Sequence, residues 1–208
     1  INHNKKVGCD ANEYVIALWK EIQEGTFIAP TVVTEMLYND IKKDYLEKTG
    51  IYPKSLIGYV GFACSYGSGW WNGYAHYNEK KKENHIIEAR NGINKQIQDF
   101  KGLKNSIFVK CDYKKLILTE PSFIYCDPPY ANTKQYENNF NSNEFWNWCR
   151  EKIYENHLVL VSEYNAPEDF ICIWSKDMQD GMPKNKSQKT EKLFIHISQL
   201  PLFNLKNI

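Results

Sequence analysis

The sequence predicts an α/β fold in which a mostly parallel sheet carries helices on both faces and is interrupted by an inserted, partly helical block. Three observations predict it. A short apolar run ends in an acid and passes directly into helical periodicity, as Lys5–Asp10 does into Ala11–Glu24. That rhythm breaks after Gly25 and resumes near Ile107. Leu158-Val159-Leu160-Val161-Ser162 is a continuous apolar run, the pattern of an interior strand covered on both sides.

Taken in order, Lys5-Lys6-Val7-Gly8-Cys9-Asp10 reads as a strand, and Val15, Ala17, Leu18 and Ile22 fall near helical spacing within 11–24. Gly25 stops that helix. Residues 26–100 change character, with Pro30, Pro53, many tyrosines and a glycine- and aromatic-rich stretch from Gly58 to Tyr74, and read as an insertion. Ile107–Lys110 is a strand followed by Cys111-Asp112-Tyr113, and Phe123–Cys126 is a strand followed by Asp127-Pro128-Pro129-Tyr130. Ser142–Glu155 reads as a helix with Phe145, Trp148, Cys149 and Ile153 on one side. Phe170–Trp174 and Leu193–Ile197 supply two short strands at an antiparallel edge. The main domain is therefore discontinuous, 1–25 and 101–208, with 26–100 inserted.

Composition limits the classes of function. With 26 basic and 25 acidic side chains the formal charge is +1, so there is no global polybasic signal and any nucleic-acid contact must be local. The mean hydropathy is −0.59 and no apolar run approaches the ~20 residues of a membrane-spanning helix. The opening residues Ile1–Lys6 resemble neither a signal nor a transit peptide. Six cysteines contain no Cys-x-x-Cys pair, so the expectation is buried free thiols in a reducing cytoplasm and no metal site. The five histidines are scattered and read as surface or satisfied core residues.

The residues that carry chemistry are Asp127-Pro128-Pro129-Tyr130, delivered at the carboxyl end of a strand, where open α/β sheets bind ligands. An exocyclic amine on a purine ring is a poor nucleophile because its lone pair is delocalised. A carboxylate and a backbone carbonyl that both accept its N–H hydrogens localise that lone pair. Pro128 and Pro129 fix φ and lack N–H groups, so the Pro128 carbonyl is a preorganised acceptor. Tyr130 offers a face for stacking on an extruded base, worth ~1–3 kcal/mol in single-strand binders.

These four residues match in full the Asp-Pro-Pro-Tyr motif of Dam-type N6-adenine DNA methyltransferases, and most of the chain resembles the phage-encoded branch of that family. The resemblance implies a class I, Rossmann-like S-adenosylmethionine-dependent methyltransferase sheet whose first strand is missing, with a target-recognition insertion. It implies methyl transfer from S-adenosylmethionine to adenine in double-stranded DNA, by a monomer in the cytoplasm of a bacterium or phage-infected cell. Asp10 then holds the cofactor's ribose hydroxyls, Cys111, Asp112 and Tyr113 line its adenine, and Asp127 borders both cofactor and target amine. Tyr66 and Trp70 in the aromatic segment, with Arg90, Lys186 and Lys189, become the DNA-facing residues.

Read without the family, several of these positions keep ordinary alternatives. Asp10 taken alone reads more often as a helix N-cap, whereas Asp112 reads equally as an acid in a βα turn and Arg90 equally as a salt-bridge partner. Lys80-Lys81-Lys82 reads as a solvated charge run, whereas Lys184, Lys186, Lys189 and Lys192 suit a loop that tracks a DNA backbone. Family members also carry a glycine-rich turn just ahead of the position of Asp10, and this chain does not contain it. The expectation is that residues upstream of Ile1 supply it or that the copy is truncated and binds S-adenosylmethionine weakly. The missing strand would lie next to the Phe123–Cys126 strand, leaving two strand edges unpaired. Other readings are a silent DNA-binding remnant, a methyltransferase acting on RNA or on protein glutamine, and a cytosine-N4 enzyme, against which Asp127 argues.

Overall fold

A computed structural model of the chain describes residues 6–77, 84–99, 105–129, 140–178 and 189–202. The fold is mixed α/β, in the order β1 (Lys6–Asp10), α1 (Glu13–Glu24), α2 (Glu35–Glu47), α3 (Lys54–Ala63), α4 (His85–Asp99), β2 (Ser106–Lys110), β3 (Phe123–Cys126), α5 (Ser142–Tyr154), β4 (Leu158–Glu163), β5 (Phe170–Met178) and β6 (Lys189–His196). The chain divides into two compact units, Asn2–Leu116 and Ile117–Ile208. Among the described residues no helix is long and apolar enough to cross a membrane.

In the N-terminal unit, α1 begins where Asn12 accepts from the N–H groups of Tyr14 (2.9 Å) and Val15 (3.3 Å), and it ends at Gly25 in the left-handed conformation. Leu18 and Ile22 on its buried side join a core built with α2 and α3, in which Tyr38, Ile41, Tyr59 and Val60 are fully enclosed. The close approach of α1 to α3 needs Gly58, because a Cβ there would collide with the carbonyl of Tyr14. The block 26–75 therefore shares a core with α1. β1 and β2 pair in parallel from Lys6↔Ser106 to Asp10↔Lys110, and α1 covers one side of the pair by stacking Trp19 on Phe108 at 6.0 Å.

In the C-terminal unit the strand order is β3-β4-β6-β5. β3 and β4 are parallel, and β6 and β5 continue the sheet antiparallel, as the two terminal strands were expected to. β4 is interior, with Val159 and Val161 fully buried. The helix α5 lies on that side, where Trp146 meets Phe170 at 4.6 Å. Arg150 grips Asp169 with Nε (2.6 Å) and Nη2 (2.8 Å), tying α5 to the loop before β5. His157 is a satisfied core histidine: its Nδ1 accepts from Ser122 N (3.1 Å) and its carbonyl from Gln199 Nε2 (2.8 Å).

Of the expected sheet with helices on both faces, the described residues show the coarser part, a mixed α/β fold with parallel pairing in each unit. The described strands form two hydrogen-bonded sheets, the parallel pair β1-β2 and the mixed β3-β4-β6-β5. β3 is an edge strand, and Phe123 and Tyr125, on the side of the sheet away from α5, are 49% and 54% exposed. Among the described residues β3 gains a partner only from β4, in keeping with the unpaired edge expected on the Phe123–Cys126 strand.

Candidate active site

Each unit presents acids at the carboxyl end of a parallel strand pair. In the N-terminal unit β1 terminates in Asp10, and β2 runs on into Cys111-Asp112, with Cys111 N donating to the Asp10 carbonyl at 3.0 Å. The capping alternative for Asp10 does not hold, because Asn12 caps α1. Asp10 instead receives Asn12 N on Oδ1 at 2.7 Å, which orients the carboxylate and leaves Oδ2 without a partner among the described residues. Although exposed as a residue, Asp10 has a crowded carboxyl: desolvation outweighs the Asn12 hydrogen bond and raises its pKa above the ordinary value. A carboxylate that gives up water without gaining a cation is an unsatisfied acceptor, and a vicinal diol with two O–H donors suits it.

Asp112 is engaged locally. It caps a short 3-10 turn, Tyr113–Lys115, by accepting from Lys114 N at 3.0 Å. Tyr113 is half-buried beside it in sequence. The acid-in-a-turn description of Asp112 is therefore accurate, and it also fixes the acid at the strand end.

The cysteines depart from expectation. Cys9 and Cys111, which immediately precede Asp10 and Asp112, are disulfide-bonded with their Cα atoms 6.0 Å apart. Register explains it: Cys9 lies opposite Val109, and Cys111 follows two residues later as β2 runs past Asp10, so the two sulfurs meet diagonally across adjacent strand ends. Sequence spacing alone could not show this, since the partners are 102 residues apart. Cys64, Cys126, Cys149 and Cys172 are free thiols, as expected.

In the C-terminal unit β3 delivers Asp127 exposed, Pro128 buried and Pro129 half-buried. Pro128 is buried and its ring fixes φ, which restricts the backbone that follows Asp127. Tyr130 lies outside the described residues, as do Lys80–Lys82, Lys184 and Lys186.

The DNA-facing candidates separate clearly. Tyr66 is 47% exposed in a tight turn held by Ser65↔Tyr74 bridging and by Asn72 Nδ2 donating to the Tyr66 carbonyl at 3.2 Å. Trp70 is packed: its ring lies against Gly61 and within 4.8 Å of Phe62, and Nε1 donates to Tyr45 Oη at 3.3 Å. Arg90 is half-buried on α4 and donates Nη1 to the Thr31 carbonyl at 3.3 Å, a tie to the loop before α2. The backbone of Lys189 opens β6.

Sequence reasoning missed one cluster. Arg150, Ile153, Tyr154, His196 and Ser198 line a cavity of about 410 Å³, where His196 meets Asp169 at 3.3 Å and Ser198 Oγ at 2.8 Å. These residues are far apart in sequence and belong to no motif. Comparison with protein-family models and with curated proteins finds no match to the chain.

Proposed function

We propose that the protein is a site-specific DNA adenine N6-methyltransferase using S-adenosylmethionine. The observation that carries this reading is the presentation of Asp127-Pro128-Pro129 at the carboxyl end of the parallel strand β3, with the acid exposed and Pro128 buried. Asp10 supports it from the other unit: a strand-end carboxylate, relieved of helix capping and short of water, fits a ribose diol.

S-adenosylmethionine, when bound, supplies an electrophilic methyl group. The chain's own residues account for the rest. Asp127 and the Pro128 carbonyl accept the two N–H hydrogens of the adenine amine, which holds the nitrogen's lone pair outward. Tyr130 stacks on the extruded base. Asp10 orients the ribose through Oδ2. Alignment of the two bound reactants accounts for most of the acceleration in a scheme of this kind, and it is lost when the amine is no longer held. Tyr66 is the aromatic contact to DNA in this reading, since the Trp70 ring is committed to packing.

The test is Asp127→Ala in the protein expressed from the natural start of its reading frame, assayed by transfer of labelled methyl to adenine-containing duplex DNA. The expected result is a loss of more than about a hundredfold, the scale of a positioning group in such alignment. Activity retained within tenfold contradicts the assigned role.

A further inference from the structure

Three of the strands run into an acid with a cysteine immediately before it: Cys9-Asp10 at the end of β1, Cys111-Asp112 just after β2 and Cys126-Asp127 at the end of β3. Two of the three are bonded to each other. The Cys9–Cys111 link joins the carboxyl ends of β1 and β2 within one unit, and both residues are only half-buried. The remaining cysteines behave otherwise. Cys64 is enclosed and burial pushes its thiol up to about 12, while Cys149 is held well above the usual thiol range by the neighbouring Cys126 and by burial.

We propose that Cys9 and Cys111 form a reversible oxidative modification site, a dithiol–disulfide pair that clamps the ends of β1 and β2 and so fixes Asp10 and Asp112. A two-stranded sheet is marginal by itself. Here it leans on α1 through the Trp19–Phe108 stack and through Gln23 Nε2 donating to the Ser106 carbonyl at 2.7 Å, contacts on or near its first half. At the carboxyl end the two strands are joined by the Cys111 N to Asp10 carbonyl hydrogen bond and by the sulfur link. Breaking that link releases the part of the pair that bears the acids.

The oxidant class is a low-molecular-weight disulfide, such as glutathione disulfide. One protein thiolate attacks a sulfur of that molecule, its S–S bond breaks, and one glutathione leaves as thiolate. The second protein thiolate attacks the protein sulfur of the mixed disulfide and expels the other glutathione. Two protein thiols are oxidised, one glutathione disulfide is reduced to two glutathione molecules, and the two protons shed by the protein thiols go to the departing thiolates. The consequence for cofactor binding rests on the methyltransferase reading: with the clamp closed the ribose acceptor is preorganised, so the oxidised protein binds S-adenosylmethionine about threefold more tightly or better.

The test equilibrates the protein with glutathione disulfide or with dithiothreitol, blocks free thiols with N-ethylmaleimide, and maps peptides without reduction. Melting is followed in parallel for the wild type, Cys9→Ser and Cys111→Ser. The expected result is a linked 9–111 peptide in the oxidised sample only, a Tm higher by about 5 °C or more when it is present, and no redox response in either variant. Cys9 and Cys111 still open to alkylation after oxidation, or a cross-linked protein that melts with the reduced one, overturns the proposal. Calorimetric titration with S-adenosylmethionine separates the two ideas. A cross-link that forms and stabilises while neither state binds the cofactor defeats the methyltransferase reading alone, and binding indifferent to redox state defeats the clamp's role at the site.

Discussion

The desolvated carboxyl of Asp10 works against the stability of the fold at neutral pH. Its pKa is raised in the folded protein, so the folded state holds the proton more tightly than the unfolded chain does. The associated stability is present at low pH and is lost as pH rises through the folded value. Asp10→Asn keeps an acceptor for Asn12 N–H and removes the desolvated charge. At pH 7 its Tm is expected to equal or exceed that of the wild type, with the difference shrinking toward acidic pH in melting curves, while S-adenosylmethionine affinity falls at least about tenfold, as for a lost charged hydrogen-bond acceptor. Asp169 has the opposite sign. Arg150 holds its carboxyl below the ordinary value, so the pair's contribution is complete at neutral pH and fades as pH falls through that lowered value. Both groups are partly exposed, so Arg150→Ala is expected to cost about 1 kcal/mol by urea denaturation, less in acid. The sequence made the two acids unequally legible. Asp10 sits at the end of a readable strand, whereas the partnership of Arg150 with Asp169 and His196 depends on a sheet register that spacing does not encode.

At the scale of elements, local chemistry carried most of the prediction. Gly25 terminates α1 by adopting the left-handed cap, and Phe123–Cys126 and Leu158–Glu163 pair in parallel as their apolar runs suggested. The start of α1 was harder to place because Asp10 and Asn12 are both capping residues two positions apart; only hydrogen-bond geometry assigns the role to Asn12. Asn12→Ala is expected to destabilise the protein by about 1 kcal/mol in denaturant melts, whereas a cap at Asp10 would have made that substitution neutral. Gly58 was visible in the sequence only as part of a glycine-rich run. Its role comes from the crossing of α1 and α3, and Gly58→Ala is expected to cost about 1–3 kcal/mol by the same measurement because backbone must move. Trp70 illustrates the limit of reading composition: an aromatic in a glycine-rich loop suits base stacking or core packing equally, and its contacts with Phe62 and Tyr45 are those of the core.

At the scale of the whole molecule, a net charge of +1 means that the proposed DNA contact would fall to a few residues. If Arg90, Lys186 and Lys189 neutralise the phosphates, the slope of log affinity against log salt is expected to be about −3, measurable by fluorescence anisotropy between 50 and 200 mM salt, on the order of one charge per unit of slope. A steep slope near −8 would point to a much larger basic surface than these residues form. The alternation of strands and helices was legible over the chain, and so was an unpaired edge on the Phe123–Cys126 strand, whereas the pairing of β4 with β6 was not, because pairing between strands is a long-range property. The most direct test of the central claim is to incubate the protein, expressed from its natural start, with S-adenosylmethionine carrying a labelled methyl group and unmethylated duplex DNA, then to digest the DNA and resolve its nucleosides by mass spectrometry. The account predicts label in N6-methyldeoxyadenosine and its loss in the Asp127→Ala variant; label in a cytosine nucleoside, or in none at all, would contradict it.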